Sequence, residues 1–384
     1  MEPRFFTDIE NNTFLQVIKK MHTVYKPLHA YICLFICSFG VLTNLINVII
    51  LTSPRMRTSI NVVLTGIALC DIGTMLSYLI YVSLFSFRPT HTFPAMCFIM
   101  LHMFLSVVLH SSSFWLAVAV AFIRRLILDQ ASVHSRWMST RRAWLVVFYI
   151  TFAISILTIP NLLTYSIQIY SYRNGTVIYT VDASSLATAN QCTLFKVVLW
   201  LNGISFKVIP CIMLSTLILC LIVTLRSAQK RRVTLLGSKR ANVGSDRTTI
   251  LLLCVVSISL LTEIPQGLVI ILSGISLDVT HNLYPFVADM LDLLSLINSS
   301  INFFLYCFMS GRYRQTFWTV ILPRKLYIRV CNDEFATDAV SKFPVNIYRN
   351  NAAIDNGLTT VQDTKNGIQT IVEPVYPHDS DEYL

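Results

Sequence analysis

The chain has 384 residues, of which 54% are hydrophobic and only 13% are charged. A soluble domain carries about 25% charged residues, so this composition excludes disordered, collagen-like, disulfide-scaffold and ordinary cytosolic proteins. The net charge of +10 is uneven, because residues 1–330 carry +16 and residues 331–384 carry −6. A basic body followed by an acidic end is typical of a membrane protein with basic cytoplasmic loops. Most basic residues flank apolar segments instead of forming one patch, which argues against nucleic-acid binding.

Seven apolar segments are long enough to cross a bilayer as helices, which takes about 20 residues each. They are 28–52, 61–85, 95–122, 143–165, 195–225, 248–274 and 282–309. The residues 311–321 (GRYRQTFWTVI) alternate basic and apolar positions at helical spacing, which predicts a short amphipathic helix on the inner membrane surface. The predicted fold class is therefore all-α, a seven-transmembrane helix bundle with an eighth, amphipathic helix. Residues 1–27 form a predicted extracellular N-terminus, 28–321 the transmembrane domain, and 322–384 a largely disordered cytoplasmic tail.

Loop charge predicts the orientation of the bundle. The alternate loops that follow the first, third, fifth and seventh segments contain 19 Lys and Arg, whereas the other loops contain only Arg88 and Arg173. The basic set is predicted to be cytoplasmic, which places the N-terminus outside, although Lys19, Lys20 and Lys26 before the first segment oppose this assignment.

Two glycosylation sequons lie on the side predicted to face outside. They begin at Asn11 and Asn174, and both asparagines are predicted to carry glycans.

Polar residues inside apolar segments are functional candidates, because a charge in the bilayer is costly. Asp71 lies in the middle of the second segment, and Ser113, Asn298, Ser299 and Asn302 add oxygens and amides from the third and seventh. This group could hold Na⁺ or a protonated network, or it could be a purely structural polar contact between helices.

Four further ionisable residues lie in the outer or middle parts of the last three segments. Lys207 and Glu263 are each near a proline, and they could pair with each other or line a cavity that meets a charged ligand. Asp289 and Asp292 are three residues apart and therefore share a helix face near its outer end. They could attract a basic ligand or be solvated acids at the helix entrance.

Prolines interrupt three of the predicted helices, at Pro160, Pro210 and Pro265. Each removes a backbone donor and predicts a kink that could act as a pivot. The sequence contains no zinc-protease, Walker or nucleophile-elbow motif, so we predict neither an enzyme nor a cofactor other than a structural Na⁺.

These residues together resemble a rhodopsin-like G-protein-coupled receptor over about 28–321. The matching positions are Asn44 in GVLTN, Asp71 in ALCD, Trp115, Arg124, and Asn302 and Tyr306 in NFFLY. The resemblance implies a sodium pocket at Asp71, Ser113, Asn298, Ser299 and Asn302. It also implies that Arg124 and Tyr306 take part in coupling to a heterotrimeric G protein.

A narrower resemblance rests on FKVIPC (206–211), RTTILLL (247–253), TEIPQG (262–267) and INSSINFFLYCFMSGRYRQTF (297–317). These strings are similar to invertebrate myosuppressin and FMRFamide-like peptide receptors, and to a related nematode group often placed with chemoreceptors. The resemblance implies a short amidated peptide ending in Arg-Phe. Its arginine would seek a carboxylate of Glu263, Asp289 or Asp292, with Lys207 and Gln266 as further binding candidates.

The chain departs from the receptor pattern at several positions. Ile123 replaces the acidic residue before Arg124, Arg125 replaces tyrosine, and Phe303 replaces the proline of the seventh helix. The resemblance implies a disulfide that pins the second outer loop, between Cys97 and Cys192, although Cys97 lies two residues farther from Arg124 than the family spacing.

The resulting expectation is a plasma-membrane receptor, embedded in lipid, that converts peptide binding into G-protein activation. The alternatives are a chemosensory receptor for a small molecule, a seven-helix channel or transporter, and a scaffold without a ligand.

Overall fold

The structure is a computed structural model that describes residues 13–87, 90–129, 139–171, 177–236, 242–309, 311–321, 361–362 and 369–370. The chain forms two units, Met1–Phe317 and Trp318–Leu384. Asn11 and Asn174, the two predicted glycosylation sites, lie outside the described residues.

The described residues of the first unit are almost entirely helical. The helices are α1 (Thr13–Leu51), α2 (Ser59–Phe85), α3 (Phe93–Asp129), α4 (Thr140–Leu163), α5 (Ser185–Gly203), α6 (Ile209–Leu236), α7 (Asn242–Ile275), α8 (Leu277–Asn282), α9 (Tyr284–Met309) and α10 (Gly311–Ile321). A π-helical turn, Ile204–Val208, joins α5 to α6, and a 3₁₀ turn, Pro54–Met56, follows α1. An antiparallel hairpin, β1 (Tyr165–Ser171) and β2 (Val177–Ala183), follows α4 and pairs Tyr165 with Ala183.

Six stretches of the described chain are helical, long and apolar enough to cross a membrane. One of them, Ser185–Ser227, combines α5, the π turn and the start of α6. The seventh predicted span corresponds to α9, whose sequence is interrupted by Asp289 and Asp292 and by several hydroxyls and amides. The amphipathic helix predicted at 311–321 is present as α10.

Local sequence explains where several helices begin. The side chains of Thr58, Ser139 and Ser184 accept hydrogen bonds from the backbone N–H groups of Asn61, Arg142 and Ala187. Each of these bonds satisfies one of the donors that a helix leaves open in its first turn.

Helix α1 begins at Thr13, fifteen residues before the apolar segment predicted to start at residue 28. Pro27 lies inside the helix and does not end it. The extension is held by tertiary packing, because Leu15 is fully buried against Val279 and Leu283. With 39 residues, α1 is about 58 Å long, nearly twice the thickness of a bilayer core.

An apolar core near the ends of α1, α2, α3 and α4 fixes the bundle below its polar interior. Ile50, Val63, Leu116 and Ile123 are among its buried members, and Tyr313 of α10 packs with them. The Tyr313 hydroxyl donates to Oδ1 of Asn47 at 2.5 Å, which ties α10 to α1.

The second unit is described only in part. Within it, β3 (Val361–Gln362) pairs antiparallel with β4 (Gln369–Thr370), inside the segment predicted to be largely disordered.

Candidate functional site

A cavity in the bundle has a volume of about 550 Å³ and is lined by α2, α3, α4, β1, α5, the π turn, α7, α8 and α9. Of the predicted ligand-binding residues, Lys207, Gln266 and Asp292 line this cavity. Glu263 and Asp289 do not belong to its wall. The aromatic residues of the wall are Tyr78, Tyr81, Phe104, Tyr165, Phe195, Phe206 and Tyr284. Burial of Tyr165, at the start of the hairpin, raises the pKa of its hydroxyl above the ordinary value.

An ion pair closes the bottom of the cavity. The Nζ atom of Lys207 lies 2.6 Å from Oε2 of Glu263 and 2.6 Å from Oε1 of Gln266. The other carboxylate oxygen of Glu263 lies 3.0 Å from Nε2 of His110 on α3. Glu263 is completely buried, and both of its oxygens already have a partner in the described structure. Its role as a direct partner of the ligand stays a prediction, and this geometry does not favour it. The pairing with Lys207, which the sequence left open, is the one that forms.

The π turn places Lys207 in this position. Pro210 has no N–H and therefore cannot donate to the carbonyl of Phe206, and the Ile209 N–H instead bonds to Ile204 five residues back. The indole of Trp115 donates to the carbonyl of Ser205 at 3.1 Å and so fixes the turn to α3. On the other side, α7 approaches the π turn closely. A Cβ at Gly267 would lie only 3.1 Å from the Cβ of Lys207.

Asp289 and Asp292 have different surroundings although they share one face of α9. Asp289 lies 3.3 Å from Nε2 of His22 on the extension of α1. Asp292 is half-buried on the cavity wall near the hydroxyl of Tyr78. Within the described part of the chain, no Lys, Arg or His forms a salt bridge with Asp292. Asp292 is thus a cavity carboxylate that has no basic partner among these residues.

Two buried polar atoms of the cavity wall have no hydrogen-bond partner in the described structure. They are Nδ1 of His110 and Oγ of Ser273. Both residues are more than nine-tenths buried. Such atoms are costly, because each has lost its hydrogen bonds to water without a replacement among the described residues.

The sequence prediction missed two cavity histidines, His102 and His110. The ring of His102 stacks on Tyr81 at 4.8 Å between ring centroids, and its Nδ1 lies 3.1 Å from Oγ of Ser77. Both histidines are ionisable residues inside an apolar span. The same signal in the sequence pointed to Glu263 and Lys207, and it could have found these histidines as well.

Three of the four residues predicted to gather around Asp71 lie beside it in the structure. Asp71 is buried, and its two oxygens accept hydrogen bonds from Ser113 at 2.9 Å and from Asn302 at 2.8 Å. Ser299 also lies beside this carboxyl group. Asn298 does not join it, because its amide points toward Glu263 at 3.5 Å and accepts from Ser259.

Near the other end of α3, Arg124 lies within electrostatic range of Tyr306 on α9. The neighbouring Arg125 donates to the carbonyl of Cys220 at 3.1 Å and to the hydroxyl of Thr224, both on α6. A bond between α3 and α6 therefore forms through the arginine that replaces the expected tyrosine.

The predicted Cys97–Cys192 disulfide is not formed in the structure, where both cysteines are free thiols. Cys192 lies in a segment of α5 that leaves helical geometry, since Asn190, Gln191 and Cys192 all have positive φ.

Comparison with known proteins identifies the family. Residues 31–323 match the serpentine type 7TM GPCR chemoreceptor Srw family. The chain is 31% identical to the G-protein coupled receptor dmsr-1 of Caenorhabditis elegans, over 84% of this chain and 73% of that protein. It is 27% identical to the Sex peptide receptor of Drosophila melanogaster, over 78% of this chain and 73% of the relative. The FMRFamide receptor of Drosophila melanogaster is 22% identical, over 75% and 52% of the two chains.

The family match covers most of the chain and coincides with the helical bundle, its cavity and its buried polar residues. The chain therefore belongs to the serpentine seven-transmembrane G-protein-coupled receptor family of the Srw type.

Proposed function

We propose that this receptor lies in the plasma membrane with its N-terminus outside and binds a short amidated FMRFamide-like peptide. The observation that carries the proposal is Asp292, a half-buried cavity carboxylate without a cation partner among the described residues. A peptide arginine can satisfy it with two parallel hydrogen bonds. The name of one relative, the FMRFamide receptor, supports a ligand of this class.

The same cavity suits the remainder of such a peptide. Its wall is rich in aromatic side chains, which can pack against a peptide phenylalanine. The hairpin β1–β2 contributes Thr164 and Tyr165 at its base to the cavity wall, and Tyr179 of β2 donates its N–H to the carbonyl of His91. The hairpin is thus anchored beside the cavity, where it can contact the rest of the peptide.

A polar row on α9 connects Asp292 to the ion pair below it. Asp292, Ser295 and Asn298 follow each other at three-residue spacing and so lie on one helix face. The Ser295 hydroxyl donates to Oε1 of Gln266 at 3.2 Å, and the same oxygen accepts from Lys207. A ligand bound at Asp292 can therefore act on the Lys207–Glu263 pair and on α7, where Pro265 follows Glu263 by two residues.

Activation follows from the ligand's preference for one conformer of α7. A ligand shifts this equilibrium only as far as it binds that conformer more tightly. In the active conformer the inner end of α7 is displaced, and Arg124 and Tyr306 then contact the G protein.

Na⁺ fits the polar group around Asp71. The Asp71 carboxylate is buried and, within the described residues, has no Lys, Arg or His partner. Ser113, Ser299 and Asn302 offer further oxygens, and oxygen is the ligand that hard cations prefer. We propose that these four residues hold the ion, without Asn298.

The test compares Asp292→Asn with a matched control, Asp289→Asn, which changes an acid outside the cavity wall. Binding of an amidated peptide with penultimate arginine is measured against the same peptide with citrulline there. The wild type and the control should prefer arginine by about tenfold to a hundredfold, as expected for a charge-assisted bond, and Asp292→Asn should lose this preference. An unchanged preference in Asp292→Asn would reject Asp292 as the arginine partner.

A second candidate ligand is a small molecule. The matched family is described as chemoreceptors, and a cavity of about 550 Å³ is within the usual range for small-molecule sites. A G-protein reporter assay of cells exposed to amidated peptides or to odorants separates the two, since a peptide receptor should respond only to the peptides.

A further inference from the structure

We infer that Glu263 makes this receptor select a peptide with an amidated C-terminus over the same peptide with a free carboxylate. This inference rests on the proposed function and specifies which residue enforces one property of the ligand. Glu263 acts through Lys207 as a specificity residue and does not itself touch the peptide.

The first argument is the charge of the cavity. Among the described residues that line it, Lys207 and Asp292 are the only Lys, Arg, Asp or Glu. Glu263 lies directly behind Lys207 with a 2.6 Å separation of Nζ and Oε2, so the lysine charge is already compensated. The remaining uncompensated charge is that of Asp292, and a peptide arginine balances it. A peptide carboxylate at the floor would then be a buried charge without a partner.

The second argument concerns donors and acceptors at the floor. Gln266 lines the cavity, and its Oε1 atom is an acceptor, since it already accepts from Lys207 and from Ser295. A carboxamide can donate an N–H to this oxygen, whereas a carboxylate has only acceptors and would be repelled by it. This argument also favours the amide, provided that Lys207 carries no uncompensated charge.

The third argument is the distance between the two ends of the ligand. Asp292 and Ser295 are three residues apart on α9, a rise of about 4.5 Å, and Ser295 contacts the Gln266–Lys207 pair. One peptide residue bridges a gap of this size. An arginine at Asp292 therefore brings the end of the next residue to the floor of the cavity.

The experiment measures the ratio of affinities for a synthetic amidated peptide ending in Arg-Phe and for its free-acid form, in membranes containing the full-length receptor. Because the ratio is taken within one variant, it does not depend on expression level. Wild type should prefer the amide. Glu263→Gln leaves Lys207 as an uncompensated cation, so the preference should fall by about tenfold or more. Lys207→Gln leaves the opposite charge and should increase the preference.

The double variant Lys207→Gln with Glu263→Gln is the matched control, because it removes both charges and keeps hydrogen-bonding side chains. Its ratio should stay within about threefold of wild type even if either single variant fails to fold, since buried unpaired charges disfavour folding. A ratio in Glu263→Gln equal to that of wild type, or a double variant that loses the amide preference, overturns the inference. If wild type binds neither form of the peptide, the proposed function itself fails.

Discussion

At the scale of single residues, a carboxylate in an apolar span is stable only when something neutralises or hydrogen-bonds it. Glu263 has a lysine, Asp289 has a histidine, and Asp71 has a hydroxyl and an amide. Asp292 has no basic partner among the described side chains. An acid that has a basic partner is therefore a structural charge, whereas an acid without one can bind a ligand or an ion.

The isosteric change Asp71→Asn tests the proposed ion site. Asparagine keeps a hydrogen-bonding side chain beside Ser113 and Asn302 but removes the charge that attracts Na⁺. Agonist affinity is measured in NaCl and in the chloride of a large organic cation. We expect a difference between the two salts in wild type and in Asp289→Asn, and none in Asp71→Asn. A sodium effect that persists in Asp71→Asn would contradict the site.

Sequence patterns predicted which residues are candidates but not which residues meet. Glu263, Lys207, Asp289 and Asp292 all stand out because they are charged within apolar spans. Their pairing depends on how each helix is rotated and how closely α7 approaches the π turn, and single-sequence periodicity does not fix these quantities. For the same reason the sequence placed Asn298 in the Asp71 group. The rotation of α9 instead turns the Asn298 side chain toward Glu263.

At the scale of secondary-structure elements, close helix approach depends on a few small residues. Gly40 of α1 lies where α2 and α9 meet it, and a Cβ there would overlap Sδ of Met75 and lie 2.8 Å from Oγ of Ser300. Met75 is fully buried, so it has little room to move away. The contact between α1 and its two neighbours thus requires glycine.

Gly40→Ala should therefore destabilise the bundle, by about 1–3 kcal/mol for an overpacked site. The thermal unfolding midpoint of the purified receptor in detergent measures the effect. Gly311→Ala is the matched control, because a Cβ at Gly311 would meet nothing within 4 Å. A Gly40→Ala receptor as stable as this control would show that α1 can shift away from α2 and α9 without cost.

The positions of the helices were predictable from apolar length, and their ends were less so. Apolar runs located α2 and α4 to within a few residues. The N-terminal part of α1 is helical because Leu15 packs against α8. A tertiary contact of this kind needs no apolar run of membrane length, so the sequence carries no signal for it. The hairpin β1–β2 lies in a loop whose strands are stabilised mainly by each other and by His91.

At the scale of the whole molecule, the cavity and Arg124 lie toward opposite ends of the bundle. The proposed receptor needs this arrangement, because its two partners are on opposite sides of the membrane. The basic segments of the sequence follow the helices whose ends lie beside Arg124, and under the proposed orientation that end is cytoplasmic.

An epitope fused after Leu384 tests this orientation. It should be stained by antibody only after the cells are permeabilised, since the basic loops and the C-terminus are proposed to be inside. An epitope placed before Thr13 serves as the opposite control and should be stained on intact cells. Staining of the C-terminal epitope on intact cells would invert the topology and, with it, the assignment of the ligand side.

The π turn has a consequence for changes in chain length. A bond that reaches back five residues accommodates one residue more than an α-helix would. Deleting one residue between 204 and 208 would restore ordinary winding and leave α5 and α6 close to their present relative rotation, because the wide turn already absorbs the extra residue. A one-residue deletion at this point would therefore change the local position of Lys207 while the contacts that α5 and α6 make elsewhere stay in place.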